Sequence, residues 1–114
     1  MNEIFVFGSN LAGCHGKGAA LYARNNLGAQ YGVGRGRTGN AYAIPTKDEK
    51  LKTLPLSSIQ RSINQFIIYA ENNPNLTFYI TPVGCGLAGY SKHQIKPMFA
   101  EMPKNCRFAE TWDD

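Results

Sequence analysis

Four short apolar runs along the chain have the composition of buried strands. They cover residues 3–7, 41–44, 76–81 and 106–109, and the first of them is rich in β-branched and aromatic side chains. The first run ends at Gly8, and the second ends before Pro45. Runs of this length with glycine or proline at their ends predict four strands.

Two other stretches carry apolar residues at helical spacing. Small apolar residues over 16–27, with Gly28 directly beyond them, predict a first helix with a glycine stop. A stripe over residues 56–70 predicts a second helix, and Ser57 with Gln60 three residues later predicts a capping box at its start.

A third helix is predicted after residue 90. Ser91 and Gln94 form the pattern of a second capping box, and an apolar stripe follows as far as Met102. Pro97 lies inside this stretch and is expected to remove one backbone hydrogen bond and bend the helix. Residues 28–40 are predicted to be irregular, and the chain is expected to end in an acidic tail.

The order of these elements is β-α-β-α-β-α-β. Such an order predicts a three-layer α/β/α fold with a mixed, mostly parallel central sheet, formed by residues 1–114 as a single domain. In sheets of this kind, ligands bind beyond the carboxyl ends of the strands.

Glycine is confined to two parts of the chain. Nine of the twelve glycines lie between Gly8 and Gly39, and the other three lie between Gly84 and Gly89. The loop 8–18 at the start of the first part and the loop 84–90 in the second each join a predicted strand to a predicted helix, where backbone amides can point at an anion. We therefore expect one diphosphate site built from these two glycine loops. The expected ligand-binding residues are Gly8, Ser9, Asn10, Gly16, Lys17, Gly18, Ala19, Gly84, Cys85, Gly86, Leu87, Ala88, Gly89 and Tyr90.

Charge and cysteine content narrow the class of protein. Residues 1–47 hold five basic side chains and one acidic one, which accounts for the whole net charge of +4 and places it in the part richest in glycine. A basic field of this kind attracts anionic ligands. Three widely spaced cysteines without a CxxC pair argue against a disulfide framework and a zinc site. With no apolar stretch long enough to span a membrane, we expect a cytoplasmic protein without a metal, a cofactor or a membrane partner.

Four segments, in this order, resemble the macrodomain family. They are residues 7–10 (Phe-Gly-Ser-Asn), 16–20 (Gly-Lys-Gly-Ala-Ala), 43–47 (Ala-Ile-Pro-Thr-Lys) and 83–87 (Val-Gly-Cys-Gly-Leu). The branch they resemble most contains the terminal ADP-ribose protein glycohydrolase and the DarG-type antitoxins. The resemblance implies that the loops at Gly16 and Gly84 hold the diphosphate of ADP-ribose, and that Asn10 lies near the distal ribose.

The same resemblance raises the alternative of an ADP-ribosyl hydrolase. In the glycohydrolase branch the lysine that matches Lys47 attacks the distal ribose, and an aspartate directly after Gly-Cys-Gly-Leu assists. The chain has Lys47 but carries Ala88 in place of that aspartate. Lys47 and Asn10 are therefore the candidate catalytic residues, while binding is expected to be the main function. The partners implied are ADP-ribose or a related nucleotide and, as alternatives, an ADP-ribosylated protein or nucleic acid.

Two further functions are compatible with the residues. The loop 31–39 contains Arg35 and Arg37 beside Tyr31, a composition that suits binding of single-stranded RNA by charge and stacking. Cys85 with His15 or His93 has the residue types of a thiol–imidazole pair.

Overall fold

Five strands form one sheet in the computed structural model, which describes residues 2–113. Across the sheet the order is β2-β3-β1-β4-β5. The strand β1 pairs in parallel with β3 and β4, β4 pairs in parallel with β5, and β2 pairs antiparallel with β3. The predicted α/β fold with a mixed, mostly parallel sheet is confirmed. The strands are β1 (Glu3–Asn10), β2 (Gly36–Thr38), β3 (Ala41–Lys47), β4 (Thr77–Ile80) and β5 (Cys106–Phe108).

Helices lie on both faces of this sheet. They are α1 (Gly18–Asn26), α2 (Leu56–Glu71) and α3 (Lys92–Ile95), with 3₁₀ helices at Lys96–Phe99 and Glu110–Asp113. Successive side chains of β1 point to opposite faces of the sheet. Ile4 and Val6 therefore pack into one core with α2, and Phe7 packs into the other core with α1. The core on the α2 side is the larger one and includes residues of α3 and both 3₁₀ helices.

The face that carries α1 is covered over only part of the sheet. Phe78 and Ile80 of β4 are fully buried on the α2 side, whereas Tyr79, between them, is half-buried and Arg107 of β5 is exposed. Phe5, Tyr22 and Tyr79 line a cleft of about 260 Å³ beside α1.

The expectation that residues 28–40 are irregular is wrong over Gly36–Thr38, which form β2. Thr38 pairs with Ala41, so Gly39 and Asn40 make a two-residue hairpin turn. Gly39 has φ +58 there, a conformation that glycine adopts without strain. The dipeptide Gly-Asn between short extended runs is a hairpin signal in the sequence.

Two strands are longer than the apolar runs predicted. The strand β1 continues beyond Gly8 to Asn10, so the first three residues of the predicted loop belong to the sheet. Likewise β3 continues through Pro45 to Lys47. Proline lacks an amide hydrogen. The pairing of β3 with β2 stops at Ala43, which lies opposite the first residue of β2, Gly36, so no hydrogen bond to β2 is lost at Pro45.

The capping box predicted at Ser57 and Gln60 is wrong. The helix α2 begins at Leu56, two residues earlier than a cap at Ser57 requires, with Pro55 as its N-cap and no side-chain cap hydrogen bond. Ser57 therefore lies within the first turn, where its hydroxyl cannot take the capping position, and the Gln60 amide donates to Asn64 and to the carbonyl oxygen of Met98. The first predicted helix is also shorter than expected, because α1 begins only at Gly18.

The capping box at Ser91 and Gln94 is confirmed, with both hydrogen bonds formed. The effect of Pro97 is stronger than a bend. Regular α-helix ends at Ile95, and Lys96–Phe99 continue as a 3₁₀ helix with Pro97 in its first turn. A proline at that position loses no hydrogen bond that the helix requires.

Trp112, which lies in the predicted acidic tail, packs into the hydrophobic core. Trp112 lies in the last 3₁₀ helix, is 5% exposed, and donates from its indole Nε1 to the carbonyl oxygen of Ile80 at 2.7 Å. A buried indole needs such a partner, and the last residue of β4 supplies it. Among residues 2–113, no helix has the length and apolar character to cross a membrane.

Candidate functional site

The carboxyl ends of three parallel strands lie side by side, with β1 between β3 and β4. The chain leaves β1 towards α1 on one face, and it leaves β4 towards α3 on the other face. Loops that leave neighbouring strands in opposite directions open a crevice between them, and this is where ligands bind in open α/β sheets.

Gly8 and Gly84 bring the two glycine loops together at this crevice. A Cβ on Gly8 would lie 3.3 Å from the backbone nitrogen of Gly84, a distance tighter than most real Cβ contacts. The side chain of a larger residue at position 8 would therefore separate β1 from the chain that follows β4.

Asn10 and Lys47 lie opposite each other where β1 and β3 end. A register shift between Ser9 and Asn10 places Asn10 against Lys47, and the amide of Leu11 donates to the carbonyl oxygen of Lys47 at 2.9 Å. The two candidate catalytic residues are thus neighbours at the carboxyl edge of the sheet.

The side chain of Asn10 holds the loop that follows it. Its Oδ1 accepts from the amide of Cys14 at 3.0 Å, and its Nδ2 donates to the carbonyl oxygen of Cys14 at 2.8 Å. This double hydrogen bond fixes the turn between β1 and α1. A direct contact of Asn10 with a sugar hydroxyl stays a prediction, while its part in shaping the loop is visible in the structure.

The N-terminus of α1 has backbone amides without a side-chain cap. Lys17 precedes the helix in an extended conformation, and no side chain caps the helix start. The first amides of a helix have no partner within it, so those of Gly18, Ala19 and Ala20 remain to be satisfied. A Cβ on Gly16 or on Gly18 would meet nothing within 4 Å, so the backbone borders open space there.

Other glycines of the same segment serve packing. A Cβ on Gly34 would overlap the carbonyl oxygen of Asn10, and one on Gly13, which has φ +73, would overlap the backbone of Gly32. The hydroxyl of Ser9 donates to the carbonyl oxygen of Gly34. These contacts fasten the chain between α1 and β2 against the end of β1, so Gly13 and Gly34 are required by the fold.

The second loop, residues 84–90, is a compact turn with its middle open. The amides of Cys85, Gly89 and Tyr90 donate to the carbonyl oxygens of Pro82, Gly86 and Gly84. Those of Gly86, Leu87 and Ala88 have no hydrogen bond within residues 2–113, and a Cβ on Gly86 would meet nothing within 4 Å. Leu87 is 71% exposed. Three successive amides are therefore available to an anion.

Two side-chain hydrogen bonds attach this loop to the chain after β3. The Tyr90 hydroxyl donates to the carbonyl oxygen of Leu54 at 2.6 Å, and the Thr53 hydroxyl donates to that of Ala88 at 2.9 Å. Thr53 also bridges Lys47. Sequence reasoning assigned no role to Thr53 and Leu54, and nothing in their local pattern reveals one, because the contacts join residues more than thirty positions apart.

His15 is fully buried within the first glycine loop. Its Nε2 lies 3.0 Å from the carbonyl oxygen of Val33, and its ring meets Phe7 edge-on. Because a carbonyl oxygen only accepts, we assign the ring hydrogen to Nε2. Nδ1 is then buried, with no hydrogen-bond partner among residues 2–113. Burial lowers the pKa of His15 below 6.5, against the hydrogen bond to Val33, and the charge of Arg24 lowers it further.

Asp48 does not replace the carboxylate that is missing at position 88. Its Oδ1 accepts from the amides of Lys50 and Lys52 at 2.8 and 2.9 Å, so the carboxylate closes its own turn. The hydrogen bond from Lys52, followed by that from Lys50, lowers the pKa of Asp48, against the effect of desolvation. Asp48 therefore supplies no carboxylate oriented to assist Lys47.

The thiol–imidazole pair is not formed among the described residues. The thiol of Cys85 contacts the carbonyl oxygen of Val83 at 3.5 Å, while the ring of His15 contacts Val33 and Phe7. Burial raises the pKa of Cys85, against the charge of Lys92. A protonated thiol without a base beside it is a poor nucleophile.

The arginines of the loop 31–39 lie against α2. Arg35 donates to Ser62 and Gln65, and Arg37 donates to the carbonyl oxygen of Gly39 and to the Tyr69 hydroxyl. Both guanidinium groups thus position β2 on the helix, which leaves less of their hydrogen-bonding capacity for phosphates of RNA.

Comparisons with known proteins identify a similar fold and no family. No family model and no curated protein matches the chain. A solved structure, described as that of a protein of unknown function from Bacteroides thetaiotaomicron, aligns with a TM-score of 0.67 at 13% identity, over 87% of this chain and 78% of that one. This likeness supports the α/β fold alone.

Proposed function

We propose that this protein binds ADP-ribose or a related ADP-ribose-derived nucleotide, with the diphosphate between the two glycine loops. One observation carries the proposal. The loops follow neighbouring parallel strands, meet at Gly8 and Gly84, and lead to helices on opposite faces of the sheet. A crevice at such a position is the usual ligand site of open α/β sheets.

The backbone on each side of this crevice has the chemistry that a diphosphate needs. One side has the uncapped amides of α1, and the other has the unpartnered amides of Gly86, Leu87 and Ala88. Amide hydrogens bind phosphate oxygens, and the positive end of the helix dipole favours negative charge. Open space at Gly16, Gly18 and Gly86 allows a ligand to approach the backbone closely.

The resemblance to macrodomains supports ADP-ribose rather than another diphosphate. The segments that carry the resemblance include the start of α1 and the loop after β4, where the backbone faces open space. The nucleotide class rests on this resemblance, whereas the diphosphate rests on the geometry.

Calorimetric titration with ADP-ribose tests the proposal. We expect a saturable heat for the unchanged protein and its loss in Gly86→Glu, because the carboxylate would occupy the space in front of the amides. Position 86 has no neighbour within 4 Å and a φ outside the left-handed region, so this variant is expected to fold. Asn64→Glu adds the same charge on the exposed side of α2 and is expected to bind normally. No saturable heat with ADP-ribose, or equal affinity in Gly86→Glu, would contradict the proposal.

Hydrolysis of an ADP-ribosyl bond is a second candidate function. The observation that favours it is the position of Lys47 at the carboxyl edge of the sheet, opposite Asn10. Ala88 and the engaged carboxylate of Asp48 weigh against it, since a lysine nucleophile needs a lowered pKa and the leaving group needs an acid.

Release of ADP-ribose from a modified protein tests this second candidate. Lys47→Ala is expected to abolish release while it leaves the affinity for ADP-ribose within about twofold, and Lys52→Ala serves as the control for a nearby charge. Equal turnover in Lys47→Ala would exclude the role of Lys47. Absence of turnover in the unchanged protein would leave binding as the function.

An ADP-ribosylated protein or nucleic acid is the partner that follows from this function. Its ADP-ribosyl group would enter the crevice while the carrier remains outside. RNA binding by the loop 31–39 and a cytoplasmic location stay predictions. The contacts of Arg35 and Arg37 with α2 reduce the support for RNA binding.

A further inference from the structure

The cleft beside α1 lies at the opposite edge of the sheet from the glycine loops. It is lined by Glu3, the first residue of β1, and by Asn40, which directly precedes β3, so it opens near the amino ends of these strands. Its volume of about 260 Å³ is below the ~300 Å³ at which sites for drug-sized ligands begin. The cleft therefore suits a small chemical group rather than a whole nucleotide.

Three aromatic rings form the walls of this cleft. Phe5 and Tyr79 lie opposite each other in the register of β1 and β4, and Tyr22 belongs to α1. The ring of Tyr22 meets that of Phe5 at 5.4 Å between centres, with 53° between the ring planes. Phe7 stacks on Phe5 at 6.4 Å and restrains its ring. Rings at such an angle make a concave corner instead of a flat stack.

The rings remain accessible because α1 covers only part of this face of the sheet. The core beneath α1 contains side chains of β1 and β3, whereas Phe78 and Ile80 of β4 point into the core on the α2 side. Tyr79, between them, therefore points to the side of α1, where it is half-buried, and Tyr22 is exposed. Accessible rings gathered in a cleft are typical of a ligand-binding groove.

Glu3 gives the cleft its charge. Among residues 2–113, seven line the cleft, and they include this one carboxylate and no lysine, arginine or histidine. The carboxylate of Glu3 makes no hydrogen bond or ion pair with another of the described residues. Aromatic rings carry partial negative charge on their faces, so rings and carboxylate attract the same kind of ligand. That ligand is a cation.

We propose that this cleft binds a trimethylated ammonium group, carried by a small amine or by a trimethylated lysine side chain. The ammonium would lie against Phe5, Tyr22 and Tyr79, with the carboxylate of Glu3 at the open side. A trimethylated ammonium has no hydrogen to donate and is weakly hydrated, so ring faces and a nearby negative charge suit it better than they suit a strongly hydrated primary ammonium. The site does not depend on the function proposed for the glycine loops.

NMR titration with choline tests the proposal. The methyl signal of choline is expected to shift saturably as the rings surround it. The neutral analogue, in which a tert-butyl group replaces the trimethylammonium group, has the same shape and is expected to bind at least about tenfold more weakly. A peptide that contains trimethyl-lysine separates the two sources of the group: tighter binding of the peptide indicates a protein side chain, and tighter binding of choline indicates a small amine. Either order supports the site.

Matched variants locate the binding. Tyr22→Leu keeps an apolar side chain but removes the ring face, and it is expected to weaken choline binding about tenfold. Tyr31→Leu removes an exposed tyrosine that does not line the cleft and is expected to have no effect. Glu3→Gln is expected to weaken binding about threefold, because exposed charges interact weakly in water. Its control is Glu71→Gln, at the exposed end of α2.

Tyr22 and Glu3 are both exposed, so their variants are expected to fold. Choline binding is also expected to persist in Gly86→Glu, which separates this site from the proposed nucleotide site. Shifts that do not saturate with choline or the peptide, equal affinity for the neutral analogue, or equal affinity in Tyr22→Leu would overturn the proposal.

Discussion

Gly8 and Gly84 approach so closely that a Cβ on Gly8 would lie 3.3 Å from the Gly84 nitrogen. The two residues are far apart in the sequence: Gly8 lies within β1, near its carboxyl end, and Gly84 lies in the loop that follows β4. The contact makes the two loops parts of one edge of the molecule. It is the structural basis for assigning them to one ligand.

The glycines between Gly8 and Gly39 are expected to divide into two classes on substitution. Gly34→Ala would place a Cβ on the carbonyl oxygen of Asn10, so we expect a loss of at least about 3 kcal/mol in the free energy of unfolding. Gly16→Ala meets open space and is expected to change stability by less than about 0.5 kcal/mol while it weakens ADP-ribose binding. Denaturant unfolding and calorimetry measure the two effects. A stable Gly34→Ala protein would contradict the packing described here.

The side chain of Asn10 is expected to support the loop through its two hydrogen bonds to Cys14. Asn10→Ala removes both and should lower the free energy of unfolding by about 1–3 kcal/mol, with weaker ADP-ribose binding. Asn26→Ala removes a single exposed hydrogen bond, to Tyr22, and is the control. If the free energy of unfolding falls by the same small amount in both variants, the contacts of Asn10 with Cys14 do not stabilise the loop.

Stability is expected to fall between pH 7 and pH 5 because of His15. Burial lowers its pKa below 6.5 in the folded protein, so in this range the unfolded chain binds a proton that the folded protein does not. The stability that neutral His15 contributes is complete above about pH 6.5 and is lost as the pH falls towards its folded pKa. The slope cannot exceed about 1.4 kcal/mol per pH unit for one proton.

Urea unfolding at several pH values measures this slope. His15→Gln is expected to be less stable at pH 7 but to have a flatter profile between pH 7 and pH 5, whereas the exposed control His93→Gln should keep the slope. A profile of His15→Gln that runs parallel to that of the unchanged protein would show that another group titrates.

Much of the fold follows from patterns within a few residues, while several contacts of the site do not. Four strands and α2 are visible in the runs and the stripe of apolar residues, whereas β2 was not predicted, although the Gly39-Asn40 turn is a hairpin signal. The burial of Trp112 and the pairing of Asn10 with Lys47 depend on residues more than thirty positions away. No local pattern contains that information, because only the order of strands in the folded sheet brings these residues together.

The second loop is expected to need its attachment to the chain after β3. Tyr90→Phe removes the hydrogen bond to Leu54, worth about 1 kcal/mol, and should weaken ADP-ribose binding by a few-fold through a looser loop. Amide hydrogen exchange at Gly89 and Tyr90 is expected to accelerate in the variant. Unchanged exchange rates at both amides would mean that the hydrogen bonds within the turn are enough to stabilise it without the bond to Leu54.

The proposed function depends most on the two loops binding one diphosphate, and an amide NMR titration with ADP-ribose measures this directly. We expect the signals of Gly18 and Ala19 in α1, and those of Gly86 and Leu87 in the second loop, to shift together with a single dissociation constant. Shifts confined to one loop, or two unrelated constants, would contradict the shared site.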